Sequence, residues 1–325
     1  MKDKRSVLTP DDLSQDQWLL LLWSFITDIP ETEWNEFSND LIYTNRFSSS
    51  HKVVEVIKSY SERCTTTIKK GRELYRARIY HKDPLRNFLS EVFLISTGEK
   101  VLDNPGGNID DYYNMKLAAL MMEVQKGSSR GREIIDAYNK WQKRAFKGYD
   151  SANSGAPPAQ IVTAGRINPE KIRYLYLAED WQTAAYEVRP TIGQYVSVAT
   201  FKIEDDMKIY DLAQDITSQR CENFGDNYAL FSVIQRRFSD PNTGDTFRYL
   251  PTQFLGEMIK QMGFEGLRFK SSLKNGGINV VLFDDRKCTA VSSDLTKVSE
   301  IELKFDNPDI YQLEEYLKVE NNNEK

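Results

Sequence analysis

Apolar and polar positions along this chain follow two periods, and the switches between them mark its elements. Residues 1 to about 70 follow a helical period. Ser14 can cap a segment carrying Trp18, Leu21, Leu22 and Phe25, and Pro30 opens a second with Trp34, Phe37, Leu41 and Ile42. Residues 53–68 continue that pattern up to Gly71. Residues 74–80 then alternate, with Tyr75, Ala77 and Ile79 on one side and Leu74, Arg76 and Arg78 on the other, which predicts a strand. From about 84 to 146 the helical period returns. Residues 110–125 set Met115, Ala118, Ala119 and Met122 in a stripe that Met121 and Val124 widen, and a further helix is predicted over 133–146.

The second half is denser in strand signals. Residues 172–178 alternate, with Leu175 and Leu177 facing a core and Tyr174 and Tyr176 facing away. Asp180 is a suitable N-cap for a short helix over 181–189, whose stripe is Trp181, Ala184, Ala185 and Val188; Pro190 stops it. Strands are expected at 195–203, 207–212, 267–271 and 278–283, the last two around the turn Asn275-Gly276-Gly277. Helices are expected at 227–238 and 251–262, a final edge strand at 301–305 and a disordered end at 321–325. Strands in both halves, with helices between them and no regular βαβ repeat, predict an α+β fold. The expected organisation is a helical region over 1–70, a catalytic domain over 71–300 with a helical insertion at about 84–150, and a C-terminal strand and tail over 301–325.

Composition narrows the function classes. A hydrophobic fraction of 40%, with 28% charged residues, belongs to a globular chain. The net charge of −5 gives no electrostatic case for nucleic acid as partner. The apolar run at residues 18–23 is too short to span a bilayer, and the N-terminus lacks a secretory pattern, so a cytoplasmic location without membrane attachment is expected. Three cysteines, Cys64, Cys221 and Cys288, suggest neither a disulfide framework nor a zinc site, and no metal is expected. Phosphate-loop, dinucleotide-fingerprint, zincin and nucleophile-elbow motifs are missing, and the only histidines are His51 and His81. Chemistry here must run on arginine, carboxylate, tyrosine and hydroxyl groups.

Some residues exceed what local structure needs. Glu187 lies in the last turn of its short helix, where a carboxylate opposes the helix dipole at a cost of about 0.3–1 kcal/mol. Arg166 sits inside the turn G-R-I-N-P. Arg76 and Arg78 share a strand face, which is commonly just solvated surface but also suits bidentate phosphate contacts. Arg46 and His51 stand at the R-x4-H spacing of HEPN-type ribonucleases, with three serines between them. That spacing is a weak signal, and packing is the plainer role.

Several of these stretches fall in one order: L-Y-R-A-R at 74–78, G-R-I-N-P at 165–169, L-Y-L-A at 175–178, E-V-R-P at 187–190, Y-D-L at 210–212, and G-L-R-F-K-S-S at 266–272, closed by N-V-V-L-F at 279–283. Together they resemble the RES family, over roughly residues 71–288. The resemblance implies an ADP-ribosyltransferase-like split mixed sheet, here with a helical N-terminal region (HEPN-like in some members) and a helical insertion. It further implies an enzyme that degrades NAD by phosphorolysis or hydrolysis of the nicotinamide–ribose bond, with inorganic phosphate a candidate co-substrate. Several members act as toxins restrained by an antitoxin, so the resemblance makes an inhibitory partner a candidate, as is restraint by the enlarged chain itself. Carried over by position, Glu187, Arg76 and Ser271 take catalytic roles. Arg166 and Tyr176 bind NAD, while Arg78 competes with Arg76 and Ser272 with Ser271. ADP-ribosyl transfer to a macromolecule, and a HEPN-type ribonuclease or interaction protein, are the alternatives.

Overall fold

The computed structural model describes residues 30–47, 50–98, 108–214, 227–240 and 246–302. The expected helix bearing Trp18, most of the expected strand at 301–305 and the tail lie outside them, and residues 301–302 form no strand. The chain is α+β. Among the described residues its eight strands are β1 (Thr65–Ile68), β2 (Glu73–Tyr80), β3 (Leu175–Ala178), β4 (Tyr195–Ile203), β5 (Met207–Asp211), β6 (Gly266–Lys270), β7 (Ile278–Leu282) and β8 (Cys288–Lys297). They form one mixed sheet in the order β1-β5-β6-β7-β3-β2-β4-β8, in which β5 and β6 are the parallel pair.

The sheet is nearly split. All of β2 pairs with β4, yet β2 meets β3 at a single register position, Tyr75 opposite Ala178. The two halves therefore hinge on one residue pair, and the strands part on either side of it.

Helices cover one face of the sheet: α1 (residues 30–39), α2 (Lys52–Ser59), α8 (Tyr228–Ser239) and α9 (Leu250–Gln261). Phe37, Ile57, Tyr210, Phe231, Phe238 and Leu267 pack between them and the β5–β6–β7–β3 half. At the other end of that face lies α7 (Trp181–Glu187), with Ala184 against Ala77, Val196 and Val198. The opposite face buries Leu74, Leu175, Leu177, Phe201, Ile209 and Val280, with Ala156, just past the short helix α6 (Ser151–Ser154), and the partly buried Phe146 against them. Each full burial of such a side chain contributes about 1.5–3 kcal/mol. Among the described residues no helix is long and apolar enough to cross a membrane.

The structure departs from the sequence pattern at four places. The helix expected over 53–68 ends at Ser59, and Thr65–Ile68 is strand β1, paired along its length with β5. Its three threonines and isoleucine are β-branched, stiff at χ1 and better suited to a pleated surface. Strand β8 has no counterpart in the sequence pattern, since its alternation of buried and exposed residues is irregular; it pairs with β4 across a bulge at Thr200/Phe201. In α4 (Ile109–Gln125) the methionine stripe faces outward: Met115, Met121 and Met122 are exposed. The buried stripe is Tyr113, Leu117, Leu120 and Val124, which packs on α3 (Pro84–Thr97) and α5 (Ser129–Gln142). This helix is apolar nearly all round, so periodicity alone could not choose its inner face. Methionine also loses more side-chain freedom on burial than leucine does. Last, Trp181 of the expected α7 stripe is exposed, and Ala184 carries the packing instead.

Candidate active site

The site begins with a turn that several side chains hold in place. Within the turn at residues 165–168, the Gly165 N–H donates to the Asn168 carbonyl at 2.9 Å. Buried Asn168 donates to the Thr163 and Pro169 carbonyls at 3.0 and 3.1 Å, and its Oδ1 accepts the Tyr176 hydroxyl proton at 2.8 Å. The same hydroxyl accepts the Ile167 N–H at 3.1 Å. A Cβ on Gly165 would lie 2.3 Å from Asn168 Oδ1 and 2.9 Å from the Tyr176 hydroxyl, so glycine is required for this close approach. From α9, Thr252 Oγ1 donates to the Arg166 carbonyl at 2.6 Å and Gln253 Nε2 to the Gly165 carbonyl at 2.7 Å. Burial pushes the Tyr176 hydroxyl up to about 12, so it stays protonated and keeps its place as a strut.

This scaffold fixes Arg166. Its Nη1 donates to the Phe238 carbonyl at 2.7 Å, its Nη2 to the Asp240 carbonyl, and its guanidinium lies over the Phe269 ring. Its Nε is buried without a hydrogen-bond partner. Burial lowers its pKa from the ordinary arginine value, while the carboxylates and phenols around it, Glu187 among them, work to raise it.

Helix α7 delivers the carboxylate. Asp180 caps it as expected, accepting the Thr183 N–H at 2.8 Å and the Thr183 hydroxyl at 2.6 Å, and pairs with Lys274 at 3.2 Å. Two turns on, Glu187 Oε1 accepts both the Ser271 hydroxyl and the Asn279 amide, each at 2.7 Å. Ser271 Oγ in turn accepts the N–H groups of Leu273 and Lys274 at 3.1 and 3.3 Å. With its lone pairs so occupied, the serine proton points at Glu187. Both donors act on one carboxylate oxygen, which leaves Oε2 for a ligand.

A cavity of about 410 Å³ opens where β2 and β3 part, walled by Arg166, Tyr176, Glu187, Arg189, Tyr249 and Asn279, with Ser272 at its rim. Arg76 also lines it, but its guanidinium turns to the Ser154 carbonyl at 3.1 Å and to the Gly155 carbonyl. Burial, then the charge of Arg78, brings Arg76 down to about 10. Arg78 is not on the cavity wall. It donates to Gly155 at 2.7 Å and shares the β2 face with Leu74, opposite α7. The structure thus gathers Arg166, Tyr176, Glu187 and Ser272 around one space, brings Ser271 to it only through its hydrogen bond to Glu187, puts Arg76 at its border in a loop-holding arrangement, and sets Arg78 apart.

Sequence reasoning passed over three residues here. Asn279 carried a signal: a lone amide in the apolar strand I-N-V-V-L, 6% exposed, needs a partner, and Glu187 is that partner. Arg189 stood in E-V-R-P without an assigned role. Tyr249 had no signal. The Arg46–His51 pair lies elsewhere. His51 packs on Phe37 and meets Asp40 at 3.1 Å, while Arg46 lines a separate groove beside α9.

The arrangement suits a reaction that builds positive charge on its substrate. A carboxylate with one oxygen anchored and the other free can stabilise a developing cation, and the fixed arginine can hold an anionic group beside it. The family profile described as "RES domain" matches residues 134–306, more than half of the chain. That span contains Arg166, Tyr176, Glu187, Ser271 and Asn279, whereas Arg76 and Arg78 precede it. No curated protein matches the sequence. Among solved structures, a chain from the crystal structure of the M. tuberculosis MbcT–MbcA toxin–antitoxin complex is similar at 14% identity and a TM-score of 0.33, over 75% of this chain and 94% of that one.

Proposed function

The chain belongs to the RES-domain family, and we propose that it breaks the bond between nicotinamide and ribose in NAD. One observation carries this reading: Glu187, anchored through Oε1 by Ser271 and Asn279, shares a cavity with the fixed cation Arg166. Cleavage of that bond develops oxocarbenium character on the ribose, and the free Glu187 oxygen is suited to stabilise it. Nicotinamide leaves as a neutral molecule, so the site needs no strong general acid. The diphosphate is a double anion that arginine recognises well, and Tyr176 and Tyr249 offer aromatic surface to a ring.

Either phosphate or water can complete the reaction. Phosphorolysis yields nicotinamide and ADP-ribose phosphate; hydrolysis yields nicotinamide, ADP-ribose and a proton. Loss of NAD harms any cell, so the same reading makes the protein a toxin or defence effector that a partner, or the chain's own added regions, must restrain. The test is to incubate the full chain with NAD, with and without phosphate, and resolve the products by mass spectrometry. Label retained on protein or nucleic acid would favour ADP-ribosyl transfer, and intact NAD under every condition would end this reading.

A further inference from the structure

Arg189 is held in a backbone conformation that its own side chain disfavours. Its φ of 47° lies in the left-handed region, just past the α7 C-cap Val188, where glycine is the usual choice. The turn itself asks for no arginine, since its hydrogen bond is the Arg189 N–H to the Tyr186 carbonyl at 3.0 Å. Nor does the side chain repay the strain inside the protein. Among the described residues no carboxylate or carbonyl takes its guanidinium. The neighbouring arginines differ: Arg166 is bonded to two main-chain carbonyls and Arg76 to two others. Yet Arg189 lines the cavity, two residues beyond Glu187, and it acts with Arg166 on the Tyr249 hydroxyl. A forked cation with no partner among the described residues therefore lines the same cavity as the fixed one, exposed to whatever enters it.

We infer that Arg189 is an oxyanion-binding residue of this cavity, taking phosphate oxygens of a ligand together with Arg166. The inference rests on the NAD reading only for the identity of the ligand. Guanidinium forks match phosphate oxygens, and an extra cation offsets the repulsion an incoming anion meets from Glu187. The phosphate can come from the dinucleotide's diphosphate or from free inorganic phosphate.

The experiment compares the full-length protein with Arg189→Gly, Arg189→Asn and Arg189→Lys. Calorimetric titration with inorganic pyrophosphate and with phosphate needs no NAD turnover. The Gly and Asn variants should bind at least tenfold more weakly, and the Lys variant within about threefold of the original, on the scale of one charge-assisted contact. Arg189→Gly should at the same time melt about 1–3 °C higher, because it relieves the strained backbone. Weaker binding in a more stable protein cannot come from misfolding. With NAD as substrate, a raised KM for NAD alone assigns Arg189 to the diphosphate, and a raised KM for phosphate alone assigns it to the co-substrate. Equal affinity of the original protein and Arg189→Gly for both anions, or no binding by the original protein, overturns the inference. Arg189-dependent pyrophosphate binding in a protein that leaves NAD intact would retire the NAD reading and keep the oxyanion site.

Discussion

At the scale of single residues, Glu187 is the test of the site. Glu187→Gln keeps the shape and still offers an oxygen to Ser271 and Asn279, but removes the charge. Single-turnover NAD cleavage should fall about 10²–10³-fold, the scale of one lost electrostatic stabiliser. NAD affinity should change little, since Arg166 and the aromatic walls remain. The melting temperature should hold or fall slightly, because relief of the helix C-terminus offsets only part of the loss when two charge-assisted hydrogen bonds become neutral ones. Asn279→Ala tests the anchor. A hydrogen bond to a charged group contributes about 1.5–3 kcal/mol, so kcat should drop about 10–100-fold while KM stays near its original value. An unchanged kcat in Asn279→Ala would mean that Ser271 holds the carboxylate alone. Glu187 stands out in the sequence because it opposes its helix's own preference, and the structure sets it on the cavity wall. Asn279 was half legible: its amide needed a partner, but only the fold says which.

At the scale of elements, the short helix α7 aims the carboxylate, and its N-cap is the place to disturb that aim. Burial raises the Asp180 carboxyl, but the hydrogen bonds from Thr183 and Lys274 outweigh it and hold the group below the ordinary carboxylate range. A carboxyl depressed in the folded state contributes stability above its unfolded value, near 3.8, and loses it as the pH falls through the folded value. Asp180→Ala should cost about 1 kcal/mol at neutral pH. Its gap to the original protein in urea unfolding should shrink progressively below pH 4; a constant gap would leave the carboxylate's charge out of the cap. Elements with a single clear period were readable from the chain, as β4 and the core of α9 show, each with its expected span within a residue or so. α4 defeats a reading by period because it is apolar on two sides, and β1 because four residues are too few to show a period against the helical run before them. The grouping of Glu187 with Ser271 and Asn279 joins residues 84 and 92 positions apart, a contact that no local pattern encodes.

At the scale of the whole molecule, the three-helix insertion gives no residue to the cavity wall. α3, α4 and α5 bury their own core around Leu89, Val92, Tyr113 and Ile134. α3 reaches the sheet through the Asn87 amide, which donates to the Tyr80 hydroxyl of β2, and Arg144, just past α5, ties back to Glu91 at 2.7 Å. Leu89 is fully buried, and Leu89→Ala should remove about 2–5 kcal/mol from that unit. If the unit opens on its own, hydrogen exchange should lose protection across residues 84–142 while β3, β6 and β7 keep theirs. NAD cleavage at 25 °C should then stay within about twofold of the original. Leu175→Ala, an equally drastic change in the strand beside the cavity, should instead lower stability across the sheet and turnover with it. A tenfold loss of cleavage in Leu89→Ala would show the opposite, that the insertion's packing is felt at Glu187 through Tyr80 and β2, and that these helices belong to the catalytic unit.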